Sequence, residues 1–226
     1  MPLRYLALAV ALLPFAAANL SYLISASQGF VEWCVPYWQG CTSISAAGRH
    51  GAAYFVFKAL MIPAAVLSAL YWLAKFRWLS HLQNAAGHAG HAVPLVCLLM
   101  GCVAAVGLVL YATVLGSIGD VYYMQRRIGV TSYFALTFFA QLLATWHIIK
   151  RALPVPRAAL RAQLGVCCAM FALGLLHLLV ELRWPEHPTI DDIVEWNFAL
   201  LTVIFYLTSF WMWRGVGLQL VLSGKS

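Results

Sequence analysis

Acidic residues are scarce in this chain: only seven of 226 residues are Asp or Glu, against 14 Lys and Arg. Charged residues make up 9% and apolar ones 63%, with a mean hydropathy of +0.84. So little charge excludes a water-soluble domain, whose surface needs far more of it. Catalytic signatures are missing as well. The chain has no GxSxG, HExxH, GxxxxGK[ST] or GxGxxG. Nothing therefore points to a hydrolase elbow, a zinc protease, a phosphate-binding loop or a dinucleotide fold. There is no CxxC, which removes the usual zinc and redox patterns, and no internal repeat of the inverted-transporter kind. His81, His88 and His91 cluster around Asn84–Gly87, but no nearby Cys, Asp or Glu completes a metal site; a solvated loop is the reading. No cofactor is called for.

Long apolar runs are what the chain does have. Six are readable, at about 5–25, 51–74, 93–116, 129–149, 164–182 and 194–213. Each approaches the roughly 20 residues that carry a helix across about 30 Å of hydrocarbon. The expected fold is all-α: a polytopic, six-transmembrane-helix bundle forming a single domain over residues 1–226. The first run follows Arg4 and resembles a signal peptide ending near Ala16–Asn19. An uncleaved helix is preferred, because the apolar stretch continues through Leu20, Tyr22, Leu23 and Ile24.

Basic residues set the orientation. With the N-terminus inside, the cytoplasmic side receives Arg4, Lys75, Arg77, Lys150, Arg151, Arg157, Arg161, Arg214 and Lys225. The outer side receives Arg49, Arg126, Arg127 and Arg183, and Lys58 is left within the second helix. Both termini are then cytoplasmic. The net charge of +7 is spread over separate short loops, so it reads as a topology signal and excludes a nucleic-acid footprint. Every carboxylate falls on the outer side: Glu32, Asp120, Glu181, Glu186, Asp191, Asp192 and Glu195. Cys34 and Cys41 share the first outer loop and can form a disulfide or remain two thiols. Cys97, Cys102, Cys167 and Cys168 read as small apolar packing residues.

His50, Tyr54 and Lys58 recur at i, i+4 and i+8, so they share one helix face. An ammonium at the depth of Lys58 is costly unless paired or hydrated. The last helix offers Asp192 and Glu195 at similar depth. A polar cavity open to the outer side is therefore expected, lined by Ser43, Ser45, Arg49, His50, Tyr54, Lys58, Asp120, Glu181, Asp192 and Glu195. Arg49 and Lys58 are the candidates for binding phosphate or carboxylate. His50 with Glu195 or Asp192 is the candidate for any proton transfer, and Ser43 or Ser45 for a nucleophile. The competing reading is a set of ion pairs that lock helices two, five and six together.

The stretch Cys41-Thr42-Ser43-Ile44-Ser45-Ala46-Ala47-Gly48 precedes the second helix, and Glu195-Trp196 lies in the outer part of the last. This pairing resembles the Frag/DRAM/Sfk family, which includes the damage-regulated autophagy modulators and the GPI-anchor lipid-remodelling factor. Thr42 stands where that family commonly has proline, and no proline lies between Gly48 and Ile62. The compact chain with short loops is similar to a divergent, bacterial member. The resemblance implies a lipid-linked role on the extracytoplasmic face, with Ser43, Ser45, Gly48, Glu195 and Trp196 at the motif positions. It implies membrane lipid as partner, and a bacterial inner membrane or a eukaryotic endomembrane or plasma membrane as location. An enzymatic version is a lipid-modifying transferase or hydrolase. The alternatives are a non-enzymatic membrane organiser or partner-binding subunit, and a proton-coupled carrier.

Overall fold

Once a backbone enters hydrocarbon it must satisfy its own hydrogen bonds, and this chain does so with helices throughout. The computed structural model describes residues 2–185 and 187–217; Glu186 and Lys225, assigned above to opposite sides, lie outside the described residues. Among the described residues, six helices are long and apolar enough to span a membrane: α1 (Arg4–Ser27), α4 (Gly51–Ala85), α5 (Ala92–Val114), α6 (Asp120–Lys150), α7 (Arg157–Arg183) and α8 (Pro188–Met212). Two short helices, α2 (Pro36–Gln39) and α3 (Ile44–Ala47), fill the first connection. No strand occurs among the described residues.

The helices run alternately up and down. α1 packs on α4 and α8, α5 is wedged between α4 and α6, and α7 lies on the outside against α8 and α6. α5 and α6 approach closely where Gly107 and Gly129 meet. A Cβ added at Gly129 would lie 2.7 Å from the Gly107 carbonyl and 2.8 Å from the Tyr111 nitrogen. Small residues at such a crossing let backbones approach and gain dispersion energy, the main attraction between helices in lipid. The start of α1 and the segment after α8 meet at one end of the bundle, where the Leu3 amide donates to the Val216 carbonyl at 3.1 Å.

Two helices overrun the apolar segments that announced them. α4 continues past Ala74 to Ala85, carrying Lys75, Arg77 and His81 with it. α6 begins at Asp120, ahead of its apolar run. Hydropathy marks where hydrocarbon ends, and a helix of good formers extends past that boundary until a glycine stops it. Gly119 and Gly87, both at positive φ, mark those limits.

Candidate functional site

The family-like motif folds into a cap on the end of the bundle opposite the start of α1. Ser43 is the N-cap of α3, its Oγ accepting the Ala46 amide at 3.0 Å, and its hydroxyl lies 3.2 Å from that of Ser45. Capping shortens the segment into one turn, which ends at Gly48. A Cβ at Gly48 would sit 2.7 Å from the Phe57 ring, so the cap seats on α4 only without a side chain there. From α8, Trp196 donates its indole N–H to the Thr42 carbonyl at 2.8 Å. Tyr22 and Tyr37 stand edge-on to that ring, with centroids at 6.1 and 5.1 Å.

The rest of the outer connection is fastened in the same way. Cys34 and Cys41 are joined by a disulfide. Tyr22 Oη accepts the Cys34 amide at 2.6 Å, Tyr37 Oη donates to Asn19 at 3.1 Å, and Asn197 donates to the Tyr37 carbonyl at 2.8 Å. Burial raises the Tyr37 phenol above its ordinary range, with the Asn19 hydrogen bond acting in the opposite sense. Tyr37 therefore stays a neutral donor.

Beneath this cap lies a cavity of about 50 Å³ between α1, α4, α5, α6 and α8. Phe15, Met61, Leu108 and Phe134 are among its walls, Glu195, Tyr37 and Asn19 lie towards its outer end, and Tyr206 stands deeper along α8. The expected cavity was polar; the observed one is mainly apolar, because the helix faces that meet here are aromatic and aliphatic. Glu195 is its one carboxylate, and it faces the Ile44 backbone N–H at the start of α3.

Tyr111, on the same wall, is buried with no partner for its hydroxyl, which faces Ser45. Arg49 and Arg126 both lie near Tyr111, and the buried Arg49 Nε also lacks a partner. Burial, and secondarily Arg126, draws the Arg49 guanidinium below its ordinary range, while Tyr111 acts in the opposite sense. Among the described residues no carboxylate forms a salt bridge with either arginine. Buried donors without acceptors are rare and mark places where water or a ligand completes the set.

Several expected members stand elsewhere. Lys58 does not meet Glu195. It donates to Tyr54 Oη at 2.5 Å and to the Thr113 carbonyl at 2.9 Å, in the groove between α4 and α5. Its neighbour Phe57 takes the inward face, fully buried beside Tyr111, and one residue of helix turns Lys58 and Tyr54 away. His50 is exposed and stacked on Phe30 at 5.3 Å, with no hydrogen bond to Glu195 or Asp192 among the described residues. The His–carboxylate pair, and with it a Ser–His–acid relay, is not assembled. Asp120 and Glu181 are exposed at the ends of α6 and α7, and Asp192 is half-buried one turn above Glu195. Of the expected ion-pair lock one contact is present: the one salt bridge among the described residues joins His177 of α7 to Asp191 of α8 at 3.7 Å, and none reaches α4.

Sequence reading missed Tyr111 and Arg126, and it misplaced Lys75. Adjacent Arg126-Arg127 was visible only as outer-side charge, and Tyr111 only as part of an apolar run. Lys75 was assigned to a cytoplasmic loop. It is instead fully buried within α4, its ammonium without a hydrogen-bond partner, 4.9 Å from the Trp78 ring and 5.7 Å from that of Trp213. Burying an unpaired ammonium costs several kcal/mol. Each cation–π contact returns about 0.5–1 kcal/mol or somewhat more. Lys75→Met should therefore stabilise the purified protein by about 1 kcal/mol, read as a small rise in the unfolding midpoint in detergent. A loss of stability would mean that the ammonium holds a partner.

The sequence model of the family described as Frag1/DRAM/Sfk1/Cwh43P N-terminal domain matches residues 2–215. Comparisons with curated proteins and with solved structures give no match.

Proposed function

Because the chain belongs to the Frag1/DRAM/Sfk1/Cwh43P family of membrane proteins, we propose that it handles a lipid or lipid-anchored substrate through its capped outer cavity. The basic end of the bundle faces the cytoplasm in this reading, which puts the cap and the cavity mouth at the extracytoplasmic leaflet. The observation that carries it is the pairing of an apolar, partly enclosed slot with unpartnered donors at one end. A few methylenes of an acyl chain suit the slot between Phe15, Met61, Leu108 and Phe134, which at about 50 Å³ holds only part of a chain. The phosphate of a headgroup suits Arg49, Arg126, Tyr111 and Ser45, because guanidinium forks match phosphate oxygens. Glu195 then accepts a hydrogen bond from a hydroxyl or amine further along the headgroup.

Mass spectrometry of lipids retained by the protein in mild detergent tests this. Wild-type protein should hold a phospholipid, and Glu195→Gln should reduce retention about tenfold, the loss of one charge-assisted hydrogen bond. A wild-type chain free of outer-leaflet lipid would favour the organiser reading instead.

One observation favours a proton-coupled carrier as a second reading. From the inner end of the cavity, Tyr206 leads to Ser68 at 3.5 Å; Tyr71 bonds Ser209 at 2.7 Å, and Gln163 donates to Ser209 at 3.3 Å. This polar file reaches the level of Lys75. Uptake driven by a pH gradient in proteoliposomes would identify such a carrier.

A further inference from the structure

The inner end of the bundle carries cations without a single side-chain carboxylate among the described residues. Arg4, Lys75, Arg77, Lys150, Arg151, Arg157, Arg161 and Arg214 lie there, and all the described Asp and Glu lie at the opposite end. Among the described residues no side chain supplies countercharge to this end.

A groove of about 580 Å³ opens on this end between α1, α4 and the segment after α8. Along α4 it is walled by Leu70, Leu73, Ala74, Arg77, Trp78 and His81, which recur at helical spacing on one face. The stripe changes character along its length. Leu70, Leu73 and Ala74 lie towards the bilayer centre, and Arg77 and His81 follow one and two turns nearer the end of the helix. The stripe is apolar first and basic last, with Trp78 at the level of Arg77, and a phospholipid presents its chain and then its phosphate in the same order. Leu3 and Leu6 of α1 face the apolar half from across the groove.

A second observation points to an anion at the basic half. Trp78 forms part of the groove wall, and 4.9 Å from its ring sits the Lys75 ammonium, fully buried and without a hydrogen-bond partner. Lys75 itself is not part of the groove wall, so the basic side chains that face an occupant are Arg77 and His81. Arg77 and His81 are exposed and have no salt bridge among the described residues. Basic pockets between helices on the cytoplasmic side of a membrane are sites for anionic headgroups.

We propose that this groove binds one anionic phospholipid of the cytoplasmic leaflet. One acyl chain lies along Leu70 and Leu73, and the phosphate rests on Arg77 and His81. This site is at the opposite end of the molecule from the capped cavity and stands whether or not that cavity takes a lipid.

The test is retention of phosphatidylglycerol by the full-length chain. Protein is reconstituted in vesicles of phosphatidylcholine with or without phosphatidylglycerol, extracted in mild detergent and analysed by native mass spectrometry. Wild-type protein should retain one phosphatidylglycerol. Arg77→Gln with His81→Gln should retain at least about tenfold less. Leu70→Trp, which fills the groove and leaves every charge in place, should also lose it. Arg157→Gln with Arg161→Gln removes basic residues from the same end and should leave retention unchanged. Equal losses in both pairs would reduce the site to a diffuse basic face and overturn the proposal. Displacement by inorganic phosphate would make it an ion site and overturn it too. A wild-type chain that retains no phosphatidylglycerol would do the same, whatever the groove then holds.

Discussion

Trp196→Ala is expected to destabilise the protein by about 3–5 kcal/mol, the range for a large aromatic removed from a packed interior. The ring is almost wholly buried, and Tyr22 and Tyr37 both rest against it. Removing it leaves a void, and it also strands the buried Thr42 carbonyl, whose donor is the Trp196 indole. Trp196→Phe separates these losses, because it keeps most of the packing and removes only the hydrogen bond, for about 1–3 kcal/mol. Heat-induced loss of monodisperse protein in detergent measures both. If the two variants unfold together with wild type, Trp196 does not fasten the cap. If Phe is as damaging as Ala, the bond to Thr42 carries the whole effect. In either case the cap over the cavity, and with it the positions of Ser43 and Ser45, depends on a contact between residues 42 and 196.

Arg49→Gln combined with Arg126→Gln should reduce phospholipid retention about 100-fold or more. A hydrogen bond to a charged group is worth about 1.5–3 kcal/mol, and every 1.4 kcal/mol is tenfold in affinity. Two such losses exceed that of Glu195→Gln. The single variants should each fall between the double variant and wild type, because two guanidiniums held near Tyr111 act on one phosphate. Fold stability should change little. The two arginines repel one another, and neither has a salt bridge among the described residues to lose. Isothermal binding of a short-chain phospholipid to detergent-solubilised protein gives the ratio directly. Unchanged affinity in the double variant would remove the phosphate from this end of the cavity. Strong destabilisation without ligand would mean that the arginines hold the fold.

The family and the six spans were legible in the sequence for physical reasons. Apolar runs of membrane length read as spans, and the Ser43–Gly48 and Glu195–Trp196 pieces are short but unusual in combination. The site was legible by residue type and less so by direction. Glu195, Ser45 and Arg49 were found because a polar group in an apolar chain stands out. Lys58 was misassigned because helical spacing groups it with Tyr54 and His50, yet it does not say which face of α4 looks inward. Phe57 takes that face, and its neighbour points away. Tyr111 could not be singled out, since a tyrosine within an apolar run is indistinguishable from core until its unpaired hydroxyl is seen. Lys75 was lost at a boundary. Hydropathy ended the span at Ala74, whereas α4 keeps winding to Ala85 and carries the lysine into the packed interior between two indoles.

All the described carboxylates lie at one extremity, where four arginines accompany them, and the other extremity carries bases alone, so the bundle is an electrical dipole along its own axis. An energised bilayer, negative within, adds about 2.3 kcal/mol per elementary charge for every 100 mV crossed. With its basic extremity inward the molecule lies downhill in that field. An anion travelling from the level of Arg49 to that of Lys75 would work against it, so any such passage would slow as the voltage grows.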